Sequence, residues 1–146
     1  MELKFTVQTK IQKPVAEVYD AVRDPKKLAQ YFATAGASGP PEEGKTVTWK
    51  WDDFPNVGKV QVRKVVPNQL IVFEWAVAEG GYNTKTEIKF EPLGDRETLV
   101  SITESGWANT PEGIKSSYGN CFGWTQMMAS LKGFLEYGIN LRKGWF

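Results

Sequence analysis

The sequence predicts an α+β fold in which a curved antiparallel sheet of about six strands packs against two short helices and one long C-terminal helix. Three observations predict it. Residues 2–11 and several segments between residues 45 and 105 alternate polar and apolar side chains, which is the period of a strand with one buried face. Two short segments between residues 14 and 32 carry apolar residues three or four apart. From Pro111 onward the apolar spacing is again that of a helix.

The N-terminal elements follow from these spacings. Residues 2–11 predict a strand whose inward side chains are Leu3, Phe5, Val7 and Ile11. A helix starts at Pro14, where the missing N–H costs nothing, and its apolar stripe consists of Val15, Val18, Tyr19 and Val22. Asp24-Pro25 ends this helix and starts a second, shorter one, which carries Leu28, Tyr31 and Phe32. Residues 33–44 are rich in small residues, glycine and proline, and predict a long surface loop.

Four or five strands follow without an intervening helix. Tight turns separate them at Pro67-Asn68, at Gly80-Gly81 and at residues 93–95, so the strands form an antiparallel meander with one wet face. The inward side chains predicted by alternation are Val47, Trp49, Trp51, Val60, Val62, Ile71, Phe73, Trp75, Val77, Ile88, Phe90, Val100 and Ile102.

The C-terminal helix is the longest and most apolar helix of the chain, so we expect the sheet to cover it. Its predicted buried stripe is Ile114, Tyr118, Cys121, Trp124 or Thr125, Met128, Leu131 and Leu135. Four glycines weaken it, each by up to about 1 kcal/mol relative to alanine. These glycines, at positions 113, 119, 123 and 133, indicate close approach by a backbone, an aromatic ring or a ligand.

Composition narrows the classes of function. The chain has 146 residues, 18 Lys plus Arg and 17 Asp plus Glu, so we expect one domain spanning residues 1–146 with no basic face for nucleic acid. The N-terminus lacks the apolar core of a signal peptide, and no apolar run reaches the roughly 20 residues of a membrane span. The single cysteine, Cys121, fits a reducing compartment. We therefore expect a soluble cytoplasmic protein.

Two further counts concern chemistry. The chain contains no histidine and one cysteine, which excludes a Ser-His-Asp triad, a Cys-His dyad and a structural zinc site, and we predict neither a metal nor a cofactor. It also contains 19 aromatic residues (8 Phe, 6 Trp and 5 Tyr), which line either a generous core or an apolar cavity.

Four segments, in order, resemble the START-like (SRPBCC) superfamily, and most closely its branch related to the activator of heat-shock ATPase (AHSA-type). Residues 11–32 resemble the opening of that family, and residues 58–75, GKVQVRKVVPNQLIVFEW, resemble its central element. Residues 98–107 resemble the strand end T-x-L-x-L-T-H-S-G-F, and Gly123-Trp124 followed by Leu131 resembles the helix motif G-W-x-x-x-L-x-x-L. The resemblance covers nearly the whole chain. It implies a helix-grip fold enclosing an apolar cavity.

The resemblance has one departure. The family often has a histidine before the Ser-Gly pair and another before the Gly-Trp pair, whereas this chain has Glu104 at the first place. Any activity of the family that depends on those histidines does not carry over.

The inward aromatic and methionine side chains are either the lining of a ligand cavity or core filling at native density. On the cavity interpretation, a small apolar or amphipathic molecule enters between the loop of residues 33–44, the turn at residues 80–82 and the start of the last helix. The predicted ligand-binding residues are Trp49, Trp51, Phe73, Trp75, Tyr82, Phe90, Glu104, Trp107, Tyr118, Phe122, Trp124, Met127 and Met128. Glu104, Tyr118 and Tyr82 would orient a polar end.

Glu104 is the most informative polar candidate. Strict alternation from Val100 and Ile102 turns it inward, where it could bond a ligand or a cation such as Arg63 or Lys115. The alternative is a strand end already in solvent. For other polar or reactive residues the plain structural interpretation is favoured. Asp52-Asp53 predicts a turn, because adjacent strand residues point to opposite faces, and Cys121 predicts an inert buried thiol.

Three functions remain open at this level. The first is binding of a small apolar or amphipathic molecule without assigned catalysis. The second, implied by the resemblance, is action on a chaperone ATPase as a protein partner. The third, also implied by the superfamily, is catalysis of the polyketide cyclase or aromatase type, for which Glu104 and tyrosines would have to supply acid–base groups. The tail at Trp145 and Phe146 either folds back on the domain or contributes to a homodimer.

Overall fold

The computed structural model describes residues 1–146 and confirms the α+β fold. The elements in chain order are β1 (Lys4–Ile11), α1 (Val15–Arg23), α2 (Pro25–Leu28), β2 (Gly36–Ala37), β3 (Thr46–Trp51), β4 (Phe54–Val66), β5 (Leu70–Ala76), β6 (Asn83–Pro92), β7 (Thr98–Ser105) and α3 (Pro111–Tyr137). The order of strand, two short helices, meander and long helix is the one that the apolar periodicity predicts.

All seven strands form one antiparallel sheet in the order β1-β7-β6-β5-β4-β3-β2. The meander from β3 to β7 pairs each strand with the next, and β1 returns to pair with β7, so that Ile102 lies opposite both Val7 and Ile88. The register shifts between Trp49 and Trp51 and again between Val62 and Lys64. Bulges of this kind bend the strands and increase their twist, which lets the sheet curve around α3.

The core fills the space between the concave face of the sheet, α1 and α3. Twenty-three buried residues form one apolar cluster. Aromatic rings connect its layers: Tyr19 of α1 meets Phe90 of β6 edge to face at 5.3 Å, and Trp75 of β5 stacks on Trp124 of α3 at 5.4 Å. Such contacts add to the burial of apolar area and fix the relative positions of the helices and strands.

Both ends of α3 have specific caps. The Thr110 side chain accepts a hydrogen bond from the backbone N–H of Gly113, and Pro111 occupies the first turn. Gly138 ends the helix in the left-handed conformation, with φ of 66°. No helix is both long enough and apolar enough to cross a membrane.

The structure corrects three predictions about the elements. The predicted loop of residues 33–44 contains the two-residue strand β2, which pairs with β3. Alternation predicts this strand over residues 58–66, but β4 already begins at Phe54, because Asp52-Asp53 forms the tight turn of the hairpin. The predicted buried stripe of α3 is wrong at Tyr118, which is 72% exposed. Ser117, one position earlier, is buried in its place.

Candidate functional site

A buried carboxylate joins the sheet to α3. Glu104 has no exposed surface and accepts five hydrogen bonds from four side chains. From the sheet, Trp75 Nε1 donates at 3.0 Å and Thr84 Oγ1 at 2.5 Å. From α3, Trp124 Nε1 donates at 2.8 Å, and Asn120 Nδ2 lies 3.1 and 3.0 Å from the two oxygens. The carboxylate is therefore the polar centre of the helix–sheet contact.

Local structure places each member of this cluster. Glu104 lies two residues beyond Ile102 on β7, so both side chains face inward, as predicted. Its neighbours across the sheet come from β6 and β5, where Thr84 pairs with Trp75. On α3, Asn120 and Trp124 are four residues apart and share one helix face. The solvent-exposed alternative for Glu104 is wrong, since the residue is fully buried.

The donors around Glu104 are all neutral. Arg63, one cation considered as its partner, instead bonds Glu74 on the opposite face of the sheet at 2.6 Å, and Lys115 is exposed. Two indole N–H groups, an amide and a hydroxyl thus take the place of a counter-ion. A buried carboxylate is tolerated when its oxygens are satisfied in this way.

An apolar cleft of about 240 Å³ lies beside this cluster. Its aromatic lining comes from the turn after α2, from strands β3, β4 and β5, from α3 and from the C-terminal tail; the rings are Phe32, Trp51, Phe54, Trp75, Phe122, Trp124 and Phe146. Three of these form an exposed rim: Phe54 is 49%, Phe122 55% and Phe146 61% exposed. The cleft is therefore open to solvent at one end and backed by the partners of Glu104 at the other.

The glycines of α3 divide into two kinds. A Cβ on Gly113 would lie 1.9 Å from the backbone oxygen of Ala108, and a Cβ on Gly133 would lie 2.9 Å from the Leu141 side chain. Close approach by protein explains these two. A Cβ on Gly119 or Gly123 would meet no packed neighbour within 4 Å, and both glycines line the cleft. Their missing side chains leave the space that the cleft occupies.

The tail after α3 folds back and closes one side of the cleft. Arg142 is 8% exposed and makes a bidentate pair with Asp53, with nitrogen–oxygen distances of 2.9 and 2.8 Å. It also donates to Gln126 at 3.2 Å. Its guanidinium lies 5.7 Å from the ring centroid of Phe32 and 5.0 Å from that of Phe146. Through these contacts the tail folds back on the domain.

The thirteen predicted ligand-binding residues fall into four groups. Four border the cleft: Trp51, Trp75, Phe122 and Trp124. Five belong to the packed core and do not border it: Trp49, Phe73, Phe90, Met127 and Met128. Those five therefore fill the core, and only the first four border open space. Glu104 stands behind the cleft wall, bonded to three of its residues.

The remaining three predicted residues lie away from the cleft. The Tyr82 hydroxyl donates to Glu79 at 2.5 Å and accepts from the Ala108 backbone at 2.9 Å, which ties the β5–β6 turn to the loop before α3. Its hydrogen bond lowers the pKa of the Glu79 carboxyl below its ordinary value. Trp107 is buried and stacks on Phe5 at 5.4 Å. Tyr118 projects into solvent, so the structure does not bring these residues together with the cleft.

Seven residues that border the cleft are absent from the predicted ligand-binding residues: Phe32, Phe54, Gly119, Asn120, Gly123, Arg142 and Phe146. The glycine spacing on α3 was a usable signal, because Gly119 and Gly123 are four apart and share a face. Asn120 and Arg142 gave no local signal. Each is placed by a partner distant in sequence, Glu104 in one case and Asp53 in the other.

The sequence also matches a family model over most of its length. Residues 12–136 match the model described as "Activator of Hsp90 ATPase homolog 1-like protein". The chain belongs to this family. The match confirms the resemblance drawn from the four sequence segments, and the fold confirms the START-like, helix-grip architecture. No curated protein matches the chain significantly.

Solved structures share the fold. The protein SSP2350 from Staphylococcus saprophyticus is 27% identical, with a TM-score of 0.79, and the match covers 95% of this chain and 96% of that one. The Aha1 dimer from Colwellia psychrerythraea is 22% identical, with a TM-score of 0.77 and coverage of 92% and 97%. DynU16, a putative protein in the dynemicin biosynthetic locus, is 23% identical, with a TM-score of 0.80. That match covers 92% of this chain and 48% of DynU16, so this chain spans about half the length of DynU16.

Proposed function

We propose that this protein binds a small, flat, apolar molecule in the aromatic cleft between α3, the sheet and the C-terminal tail. The observation that carries the proposal is the cleft itself: seven aromatic rings surround it, and three of them are half exposed at its rim. Exposed rings of this size lose water contact favourably when a ligand covers them. Concave, mostly apolar sites with few polar groups are the usual form of small-molecule sites.

The volume limits the size of the ligand. Drug-sized ligands occupy pockets of about 300–1,000 Å³, and an apolar cavity of about 150 Å³ accommodates benzene. The 240 Å³ of this cleft therefore suits one or two fused rings. For about ten non-hydrogen atoms we expect a dissociation constant between roughly 10 μM and 1 mM.

The surroundings of Glu104 favour binding over acid–base catalysis. A general acid or base must come within hydrogen-bond reach of the reacting atom. Glu104 has no exposed surface, and its oxygens already accept from four side chains. Trp75, Asn120 and Trp124 stand between it and the cleft. Near-neutral charge and a single cysteine support a cytoplasmic location as part of the same proposal.

A second candidate function is action on a protein partner, which the family description and the fold shared with the Aha1 dimer favour. The partner would be a chaperone ATPase, or a second copy of this chain. Native mass spectrometry of gently purified protein separates the candidates. A small non-covalent adduct supports the first, and a dimer or a complex with added chaperone supports the second.

The test of the proposal is a titration with 2-methylnaphthalene followed by ¹H–¹⁵N correlation spectra. The indole N–H signals of Trp75 and Trp124 should shift on binding, because both rings border the cleft. Gly123→Leu should abolish these shifts, since its side chain would fill space in which nothing lies within 4 Å. Thr125→Leu, on the exposed side of the same helix, should bind like the wild type.

A wild-type protein whose spectrum does not change at saturating probe would contradict the proposal. So would a Gly123→Leu variant that remains folded and binds as tightly as the wild type, because the probe would then occupy some other surface.

A further inference from the structure

The amide of Asn120 is held in one orientation. Its Nδ2 donates to both oxygens of Glu104, at 3.1 and 3.0 Å. A carboxylate oxygen accepts but does not donate, so only the NH₂ end of the amide can face it. Turning the amide over would bring Oδ1 within about 3 Å of both carboxylate oxygens, which loses two charge-assisted hydrogen bonds and adds repulsion. The amide orientation is thus assigned by its bonding partners.

The carbonyl end of this amide is free. Asn120 borders the cleft, and its Oδ1 accepts no hydrogen bond from any protein group. The other side chains on this wall, Trp75 and Trp124, use their N–H groups on Glu104. On this wall the cleft therefore offers one hydrogen-bond acceptor in an aromatic surface.

Glu104 cannot easily release the amide. It is fully buried, and three other donors from β5, β6 and α3 fix its two oxygens. A carboxylate so fixed keeps Asn120 Oδ1 directed away from it whether or not the cleft is occupied. A preformed acceptor costs little ordering when a donor arrives.

We infer that the cleft selects flat aromatic ligands that carry a hydroxyl group, because Asn120 Oδ1 accepts a hydrogen bond from that hydroxyl. Asn120 is the residue that touches the ligand, and Glu104 is a positioning residue that acts through it. This inference rests on the proposed function, since it names the ligand class of the same cleft. An aromatic hydroxyl supplies both requirements of the site: a planar body for the rings and a donor for Oδ1.

The experiment compares 2-naphthol with 2-methylnaphthalene, which have nearly the same shape and differ by a donor. The quantity measured is the ratio of their dissociation constants in the wild type and in Asn120→Ala. Since a neutral hydrogen bond contributes a net 0.5–1.5 kcal/mol, the preference for 2-naphthol should fall by about 2- to 12-fold in the variant. Comparing this ratio between the wild type and the variant cancels the greater hydrophobicity of the methyl compound, which is the same in both proteins.

The same two probes are then measured in two further variants. Glu104→Gln lets the amide turn over, because glutamine at this position can donate to Asn120 Oδ1; the ratio should fall toward that of Asn120→Ala. A purely structural role of Glu104 would weaken both probes alike and leave the ratio unchanged. Thr125→Ala, an exposed residue of the same helix that does not border the cleft, should keep the wild-type ratio.

The outcomes distinguish the two levels of the argument. If neither probe binds the wild type, the proposed function fails and this inference fails with it. If both probes bind and the ratio is the same in the wild type and in Asn120→Ala, the cleft binds aromatics but the donor inference is wrong. A ratio that falls in Asn120→Ala and in Glu104→Gln supports it.

Discussion

Replacing Glu104 by methionine removes the acceptor that α3 and the sheet share, while keeping a side chain of similar length. In the wild type, four donors end on this carboxylate, and two of them are the indole N–H groups of Trp75 and Trp124. In the variant, Asn120 can turn toward water in the cleft, and the Thr84 hydroxyl can rotate. The two indole groups cannot find another acceptor without moving their rings.

The expected loss of stability follows from these two unpaired indole N–H groups. A buried donor left without a partner costs about 1–3 kcal/mol, so Glu104→Met should lower the free energy of unfolding by roughly 2–6 kcal/mol. Glu104→Gln keeps one oxygen and therefore leaves one indole unpaired, at a cost of about 1–3 kcal/mol. The larger value approaches the whole stability of a domain of this size.

The assay is urea unfolding of the two variants beside Glu74→Gln. Unlike Glu104, Glu74 has a cationic partner, because Arg63 lies 2.6 Å away. The Glu74 side chain, however, is 37% exposed. A surface ion pair contributes about 0–1 kcal/mol. The expected order of destabilisation is therefore Glu104→Met, then Glu104→Gln, then Glu74→Gln, which is the reverse of the order that counting ion pairs would give.

A Glu104→Met variant within 0.5 kcal/mol of the wild type would refute this reasoning, as would a larger loss in Glu74→Gln than in Glu104→Met. Either result would mean that the indole groups find other acceptors, or that burial of the carboxylate costs as much as its hydrogen bonds contribute.

Three further predictions concern the tail, a helix glycine and a buried tyrosine. Asp53→Asn weakens the bidentate pair with Arg142, so trypsin should cleave the tail about 10- to 100-fold faster, as mass spectrometry of timed digests would show; an unchanged rate would mean that this pair does not hold the tail. Gly113→Ala places a Cβ 1.9 Å from a backbone oxygen and should lower the melting temperature. The Cβ of Gly119→Ala has no packed neighbour within 4 Å, so this variant should raise the free energy of unfolding by up to about 1 kcal/mol. A stabilised Gly113→Ala would show that the helix start can shift. Complete burial raises the pKa of Tyr31 well above its ordinary value of 10.0, so the unfolded state loses its proton first. The free energy of unfolding should therefore fall as pH rises above about 10, by up to about 1.4 kcal/mol per pH unit. Tyr31→Phe should be less stable than the wild type at pH 7, and urea titrations from pH 8 to 11 should show this difference in stability shrinking. A constant difference would count against the burial of Tyr31.

The fold was predictable because alternation and helical spacing are local properties of the chain. The inward sides of β5, β6 and β7 follow from alternate residues such as Phe73, Phe90 and Ile102, and all three are buried. The prediction of buried residues on α3 was wrong at one position, where helical spacing is compatible with either of two neighbouring residues facing the sheet. Ser117 and Tyr118 are neighbours on α3, and helical periodicity alone allowed either to face the sheet; the structure buries the serine and exposes the tyrosine.

The candidate site was predictable only in part. Alternation placed Glu104 inward, but its partners could not be read from the sequence, because Trp75, Thr84 and Asn120 lie 29, 20 and 16 residues away. The sequence left a cationic partner open for the same reason: a charge count does not show that Arg63 lies on the opposite face of the sheet, paired with Glu74.

The α+β class, the order of elements, the family and the inward position of Glu104 follow from the amino-acid sequence, since each depends on periodicity or on short motifs. Which aromatic rings fill the core, which border a cleft and which residue presents an acceptor there follow only from the folded chain. That division depends on how the sheet curves across α3 and on where the tail returns through Arg142. Curvature and chain return bring together residues that no local spacing relates.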